Sequence, residues 1–283
     1  MNYKLSPFNL ITFLSKNRGI NILIVVVYFS CVVLPHEWFG NQIVKLFENF
    51  SRQTYQMATL VIALLFIAAY LFYLYRLLRK NCNFLTLSSL IILLTLTALS
   101  YPLLIIHYIE AIHYLQYAVL AFLLFPLFRN YYKLLFWGLV FSFFDEGYQY
   151  FYLNPDGTKY FDFNDIILNQ LGLVYGLLPI AIKGSVLLVR KKLKSFLPEL
   201  ITIGLIVIVI IVLCFIDLLS IYPDDTIPFN LARELPRSFW TEIKHLEVNY
   251  HIVLPVEGLT VIAIIYIYFC WVLTGISYSK ERS

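Results

Sequence analysis

Three neighbouring stretches of this chain carry ionisable and amide side chains at the spacing of one helix face. Within each stretch most members stand three or four residues apart, so on a helix they form one polar stripe. The stripes comprise His107, Glu110, His113 and Tyr117; Asp145, Glu146 and Gln149; and Asp162, Asp165 and Asn169. Histidines and carboxylates brought together in this way could transfer protons, hold a cation or bind a polar headgroup.

The consecutive carboxylates Asp145 and Glu146 leave four uses open. They could form a structural clamp with nearby amides and a histidine, or they could bind a polar headgroup or substrate. They could divide the roles of general acid and general base, as paired carboxylates do in enzymes. They could also help to ligate a divalent cation such as zinc, for which the possible further ligands are His107, Glu110 and His113.

Neither a metal nor another cofactor is expected from the sequence. No HxxxH pair supports a zinc site. The cysteines stand one to a segment, without the paired spacing of a metal cage or a redox motif, at Cys31, Cys82, Cys214 and Cys270.

The elements that must position the polar stripes are helices that cross a membrane. The chain has 283 residues, of which 60% are hydrophobic and 13% charged, and its mean hydropathy is +0.78. Such a chain cannot bury its apolar surface in one soluble core. Apolar runs of about 18 residues or more predict helices that cross a bilayer. The sequence therefore predicts an all-α, polytopic transmembrane bundle of eight spans, or of seven, at about 20–35, 56–78, 84–106, 111–128, 131–153, 165–188, 199–222 and 259–279.

The distribution of charge predicts which side of the membrane each helix end faces. Alternating spans divide the 21 basic residues into 14 on one set of ends, 6 on the other and Lys183 within a span. Lys and Arg accumulate in cytoplasmic loops. The richer set, which includes "RLLRK" and "RKKLK", is therefore predicted to be cytoplasmic, together with both termini. The acidic stripes then face outward, where loops also collect acidic residues by default.

The stripes are predicted to face one another beneath two outer segments. Residues 41–55 place apolar side chains at helical spacing and predict a helix in the membrane interface. The segment 223–258 predicts two short amphipathic helices, broken at Pro236. Gly172 and Gly176 give the sixth span a small-residue face that would allow a neighbouring helix to approach closely.

The order and spacing of the polar residues resemble the VanZ-like family of membrane proteins. The family pattern runs from a histidine and a tyrosine to D-E-x-x-Q, a basic residue, and D-x-x-x-N-x-x-G-x-x-x-G. The matching positions are His113, Tyr117, Asp145, Glu146, Gln149, Asp162, Asp165, Asn169, Gly172 and Gly176. Lys159 stands where the family commonly has an arginine, and the loop before it is a few residues longer. Lysine does not reproduce the bidentate contacts of arginine.

The resemblance implies a VanZ-like core at residues 84–188. Residues 1–83 would supply N-terminal spans with the outer interfacial helix, and residues 189–283 would supply C-terminal spans with the outer loop 223–258. The family is named for proteins that reduce susceptibility to a glycopeptide antibiotic acting at the cell wall. A role at the envelope and a location in a bacterial plasma membrane are therefore expected.

We expect a binding or accessory protein rather than an enzyme. An outward-facing polar pocket would bind or handle a membrane lipid or a lipid-linked cell-envelope precursor, with no nucleic acid as partner. The candidate residues are His113, Tyr117, Asp145, Glu146, Gln149, Lys159, Asp162, Asp165 and Asn169. The alternatives are an intramembrane hydrolase or transferase that acts on a lipid, and a transporter.

Overall fold

A computed structural model describes most of the chain, and its described residues lie mainly in helices. The described ranges are 7–47, 52–81, 83–105, 108–153, 161–184, 197–224, 226–232, 236, 238–243 and 248–281.

The helices follow the apolar runs of the sequence. The α-helices are α1 (Pro7–Lys16), α2 (Arg18–Tyr28), α3 (His36–Phe47), α4 (Arg52–Asn81), α5 (Phe84–Leu104), α6 (Ile112–Phe128), α7 (Tyr131–Tyr148), α8 (Phe163–Lys183), α9 (Leu197–Phe215) and α10 (Pro255–Glu281). A 3₁₀ turn (Tyr108–Ala111) precedes α6, and π-helical turns (Phe29–Val33 and Gln149–Leu153) extend α2 and α7. Side chains of Asn83, Asn130 and Asp162 accept hydrogen bonds from backbone N–H groups at the starts of α5, α7 and α8.

The described residues contain seven helical segments long and apolar enough to cross a membrane. They are Arg18–Gln42, Leu60–Arg79, Phe84–Leu104, Ile109–Phe128, Phe163–Lys183, Leu197–Phe215 and Pro255–Tyr278. The chain is therefore an integral membrane protein. The predicted span at 131–153 forms α7 and its π-turn, but α7 carries Lys133, Asp145 and Glu146 and is not one of the seven.

Helix α8 lies at the centre of the bundle. In its apolar segment 83% of the residues are buried, against 6% in α9. It packs most extensively on α6 and α10 and also contacts α7, α5 and α4. A Cβ on Gly172 would lie 2.9 Å from the carbonyl oxygens of His113 and Tyr114, and one on Gly176 would collide with the carbonyl of Ala118. The predicted small-residue face is thus confirmed, and its partner is α6.

Several helix ends with basic residues meet at one end of the bundle. Lys133 Nζ of α7 lies 2.9 Å from Glu199 Oε1 of α9. Arg129 Nη2 donates to the carbonyl of Ser15, at the end of α1, over 3.0 Å. The Tyr131 hydroxyl is 2.8 Å from Ser277 Oγ of α10. These ends are among those that alternation of the spans predicts on one side of the membrane.

The segment 223–258 departs from the prediction. Its described part contains three short strands rather than two amphipathic helices, and a fourth strand lies just before it. The strands are β1 (Leu219–Ser220), β2 (Phe229–Asn230), β3 (Thr241–Ile243) and β4 (Val248–Tyr250). β1 pairs in parallel with β2, and β3 pairs with β4 in antiparallel register. The all-α prediction is therefore correct for the bundle and wrong for the described part of this segment; residues 225, 233–235, 237 and 244–247 lie outside the described residues. Pairing between strands satisfies the backbone hydrogen bonds here, and the helical spacing of side chains gives no sign of such pairing.

Candidate functional site

The helix ends that carry the three polar stripes lie together at the end of the bundle opposite Lys133. His113 and Tyr117 belong to the first two turns of α6, and Asp145 to the last turn of α7. Asp165 and Asn169 belong to the first two turns of α8. The close approach of α8 to α6 brings these residues into contact. We call the joined set the His–carboxylate cluster; it comprises His113, Tyr117, Ser142, Asp145, Glu146, Gln149, Asp165 and Asn169.

His113 links α6 to α8 through both of its ring nitrogens. Nδ1 lies 2.7 Å from Asn169 Oδ1, and Nε2 lies 3.4 Å from Asp165 Oδ2. The Asn169 amide nitrogen donates to Ser142 Oγ over 2.8 Å, which leaves its oxygen to accept from the histidine. Because both ring nitrogens face acceptors, the arrangement suits the imidazolium form, which donates from both.

Asp145 and Glu146 are buried and share one amide donor. Tyr117 donates its hydroxyl proton to Asp145 Oδ2 over 3.1 Å. Gln149 Nε2 lies 3.3 Å from Asp145 Oδ1 and 3.3 Å from Glu146 Oε1. Asp145 is 0% exposed and Glu146 3% exposed. The two carboxylates are thus held by hydrogen bonds and are close enough to Gln149 to be coupled through it.

The cluster carries more potential negative than positive charge. Its carboxyl groups belong to Asp145, Glu146 and Asp165, whereas His113 is its one residue that can become a cation. Neighbouring carboxylates in a poorly solvated site oppose one another's ionisation. The cluster is therefore suited to retain a proton, or to accept a positively charged or hydrogen-bond-donating group.

Asp162 acts at the start of α8 rather than within the cluster. Its Oδ1 accepts from the backbone N–H of Asn164 over 2.8 Å, as an N-cap does. Burial, together with the nearby Asp165 carboxylate, raises the pKa of Asp162 from 3.8 to about 7. Asp162, which the sequence places among the candidate site residues, thus caps the helix that carries Asp165 and Asn169.

Two buried polar residues of this region were not predicted from the sequence. Ser142 orients Asn169, and its position one turn before Asp145 on α7 was the available signal. Asn164 Nδ2 donates to the carbonyl of Leu104 over 3.2 Å and to that of His251 over 2.9 Å, and its Oδ1 accepts from Val253 N–H over 3.0 Å. Asn164 thereby fixes α8 to the segments next to α5 and α10, a long-range role that the sequence does not signal.

The contacts described above do not include every predicted residue. His107 and Lys159 lie outside the described residues. Glu110 lies in the 3₁₀ turn and is partly exposed. Within the described part of the chain, no group of three or more His, Cys, Asp or Glu residues could hold a metal ion. The possible ligand set of His107, Glu110 and His113 includes a residue outside the described ranges and stays a prediction.

Comparison with family models, curated proteins and solved structures found no match to this chain. The resemblance to VanZ-like proteins remains a prediction from the residue pattern. The fold and the cluster define an integral membrane protein with a buried His–carboxylate network at one end of its helix bundle.

Proposed function

We propose that this chain is a VanZ-like protein of a bacterial plasma membrane that binds or handles a lipid or a lipid-linked cell-envelope component. Both termini lie in the cytoplasm in this proposal, and the His–carboxylate cluster faces outward. The observation that supports it is that the polar residues of three helices meet at one place. Residues from all three parts of the family pattern, up to 56 positions apart, join one buried hydrogen-bond network.

The cost of burying the cluster supports a functional role. On insertion scales, an ionisable side chain costs about 2.5–3.5 kcal/mol at the centre of a membrane helix, which is an upper bound for the cluster because it lies at helix ends. Well-packed apolar side chains of similar volume often stabilise a protein as well as a buried ion pair does. A chain selected only for stability would therefore gain little from Asp145, Glu146 and His113. Ionisable residues in such settings usually serve a ligand or a proton.

The geometry suggests how a ligand would enter and what it would carry. The side chain of Asp165 is 16% exposed, whereas that of His113 is 1% exposed. A headgroup that enters the site would therefore contact Asp165 first. It would compete with His113 for the carboxylate of Asp165. The excess of carboxyl groups favours amine or hydroxyl donors over phosphate oxygens. If the ligand is a cell-wall precursor, its binding would also alter susceptibility to glycopeptide antibiotics.

An intramembrane hydrolase or transferase is the second candidate. The observation in its favour is that His113 pairs with Asp165 beside the buried Asp145, an arrangement that could move a proton. Against it, both ring nitrogens of His113 already face acceptors, so a base would be available only after Asp165 moved. Turnover of labelled lipids by the purified protein would support the enzyme over the binding protein.

The test replaces both carboxylates by their amides in Asp145→Asn/Glu146→Gln. The matched control is Glu242→Gln, which changes an exposed acid in β3. Native mass spectrometry should find that the double variant retains about tenfold less of the co-purified lipid, the effect of losing about 1.4 kcal/mol of binding energy. Its thermal unfolding should match that of the control.

Two results would contradict the proposal. In the first, the double variant and the control retain the same lipids in the same amounts. In the second, the double variant fails to fold while Glu242→Gln folds normally, which would identify the cluster as a structural clamp.

A further inference from the structure

Helix α9 is exposed on every face along its middle. Five consecutive residues are between 46% and 58% exposed; they are Leu205, Ile206, Val207, Ile208 and Val209. Five residues cover more than one full turn of an α-helix, so their side chains point in every direction around the axis. A Cβ on Gly204 would meet no atom within 4 Å, whereas one on Gly138 of α7 would collide with Leu173. The middle of α9 therefore packs against no other part of the described chain.

Both ends of α9 are nevertheless tied to α7. At the first end, Glu199 pairs with Lys133 and accepts from Trp137 Nε1 over 3.2 Å. After the second end, β1 pairs with β2, and β2 is held by the π-turn that follows α7. There the Tyr150 hydroxyl accepts from Asn230 N–H over 2.8 Å and donates to the Asn230 carbonyl over 3.0 Å. Helix α9 thus runs beside α7, attached at its ends and separated between them.

We call the space between the middle of α9 and α7 the cleft; in a membrane it would open sideways to lipid. Helix α9 has 19 residues, which at about 1.5 Å each span about 28 Å, close to the thickness of the hydrocarbon layer. Between Glu199 and Asp217 this wall has no charged side chain, and the Thr202 hydroxyl donates to the Pro198 carbonyl of its own helix. The α9 side of the cleft is therefore apolar along its length and has polar contacts at both ends, which suits an amphiphile better than a sugar.

We propose that an acyl chain of a membrane lipid occupies the cleft between α9 and α7. The lipid headgroup lies at the end where the π-turn begins, because Gln149 contacts Asp145 and Glu146 there and the next residue, Tyr150, holds β2. The headgroup position rests on the proposed function, whereas the position of the acyl chain does not. The occupant is a lipid of the surrounding bilayer that stays bound longer than its neighbours.

Photolabelling can test this in the full-length protein. The chain is reconstituted into phosphatidylcholine vesicles that contain, in parallel samples, phosphatidylethanolamine or phosphatidylcholine with the same photoactivatable acyl chain. It is then transferred to lipid-free detergent for increasing times before illumination, and lipid adducts are mapped by peptide mass spectrometry. Helix α4 is the matched control, because its apolar segment is also 6% buried but it packs on α8, where Tyr70 donates to the Tyr175 carbonyl over 2.9 Å.

We expect the adducts on α9 to disappear about tenfold more slowly than those on α4, because differences in affinity act mainly on the rate of release. Loss of label from both helices at the same rate would overturn the inference, since only surrounding lipid would then be present. Absence of lipid adducts from α9, together with a dimer in native mass spectrometry, would also overturn it in favour of a second copy of this chain.

The variant Asp145→Asn/Glu146→Gln separates this inference from the proposed function. If retained label on α9 persists but no longer prefers phosphatidylethanolamine over phosphatidylcholine, both ideas are supported. If wild type and variant retain the label equally and with the same headgroup preference, the cleft stands and the headgroup role of the cluster fails. If neither retains label on α9, the cleft fails, and the lipids that co-purify with wild type then test the proposed function alone.

Discussion

His113 is the residue that joins the separate parts of the cluster. It contacts Asp165 and Asn169 of α8 from its position on α6, and Asn169 in turn holds Ser142 of α7. It is also the one cation that the cluster can provide against its carboxyl groups. Removing the imidazole would leave Asp165 and Asn169 without this partner in a poorly solvated site.

His113→Ala should lower the free energy of unfolding by about 3 kcal/mol, the low end for a broken buried ion pair, because Asp165 is partly exposed. Unfolding in mixed detergent micelles at increasing SDS concentration measures this change. In a double-mutant cycle with Asp165→Asn, the coupling energy should be about 1–3 kcal/mol. Additive effects of the two substitutions would show that the contact contributes nothing to stability.

Asp162 should make stability depend on pH. The pKa of Asp162 is about 7 in the fold, above the ordinary value of 3.8, so between these values the folded protein holds a proton that the unfolded chain has lost. The contribution of Asp162 to stability is therefore complete below about pH 4 and is lost as the pH rises towards 7. Asp162→Asn should remove this part of the pH dependence and keep the helix cap, since Asn caps as well as Asp. An unchanged pH profile of unfolding in this variant would contradict the assignment.

At the scale of elements, the contact between α6 and α8 decides whether the cluster forms. The glycines of α8 allow the backbones to approach, and this approach places His113 beside Asp165 and Asn169. Packing of this kind is the main source of association between helices in lipid, where the hydrophobic effect contributes little.

Gly176→Ala should destabilise the bundle by about 1–3 kcal/mol, because its Cβ would collide with the Ala118 carbonyl. Gly204→Ala is the matched control on α9, where a Cβ meets nothing within 4 Å and the gain in helix propensity is up to about 1 kcal/mol. Thermal unfolding in detergent compares the two variants. Equal stabilities would mean that α6 and α8 are not in close contact.

The sequence predicted the elements better than their irregular connections. Helical spacing was sufficient to predict that Asp145, Gln149 and Asn169 belong to one site. Polar side chains in an apolar helix usually point into the bundle, where they find partners. It was not enough for Thr241–Ile243, which pairs with a strand several residues later and has a composition that also fits a helix. Asn164 was missed because its partners are backbone groups far away in the chain.

At the scale of the whole molecule, polar groups concentrate at the two ends of the bundle. Lys133 and Glu199 pair at one end, and the His–carboxylate cluster lies at the other. Alternation of the spans and the bias of Lys and Arg predict that the first end is cytoplasmic.

A fluorescent protein fused after Ser283 should therefore be bright in cells, because it folds in the cytoplasm. Alkaline phosphatase fused after Ser220, just beyond α9, should be active, because this enzyme needs an oxidising exterior to form disulfides. The opposite pair of results would invert the orientation and place the cluster in the cytoplasm.

In the proposed function, the His–carboxylate cluster binds the polar headgroup of a lipid. An experimental structure of the protein in a lipid nanodisc, prepared from the membrane in which it is made, tests this most directly. We expect density for a headgroup within hydrogen-bonding distance of Asp165, continuous with an acyl chain beside α9. A well-resolved cluster in which His113 still contacts Asp165 and no lipid reaches either residue would contradict it.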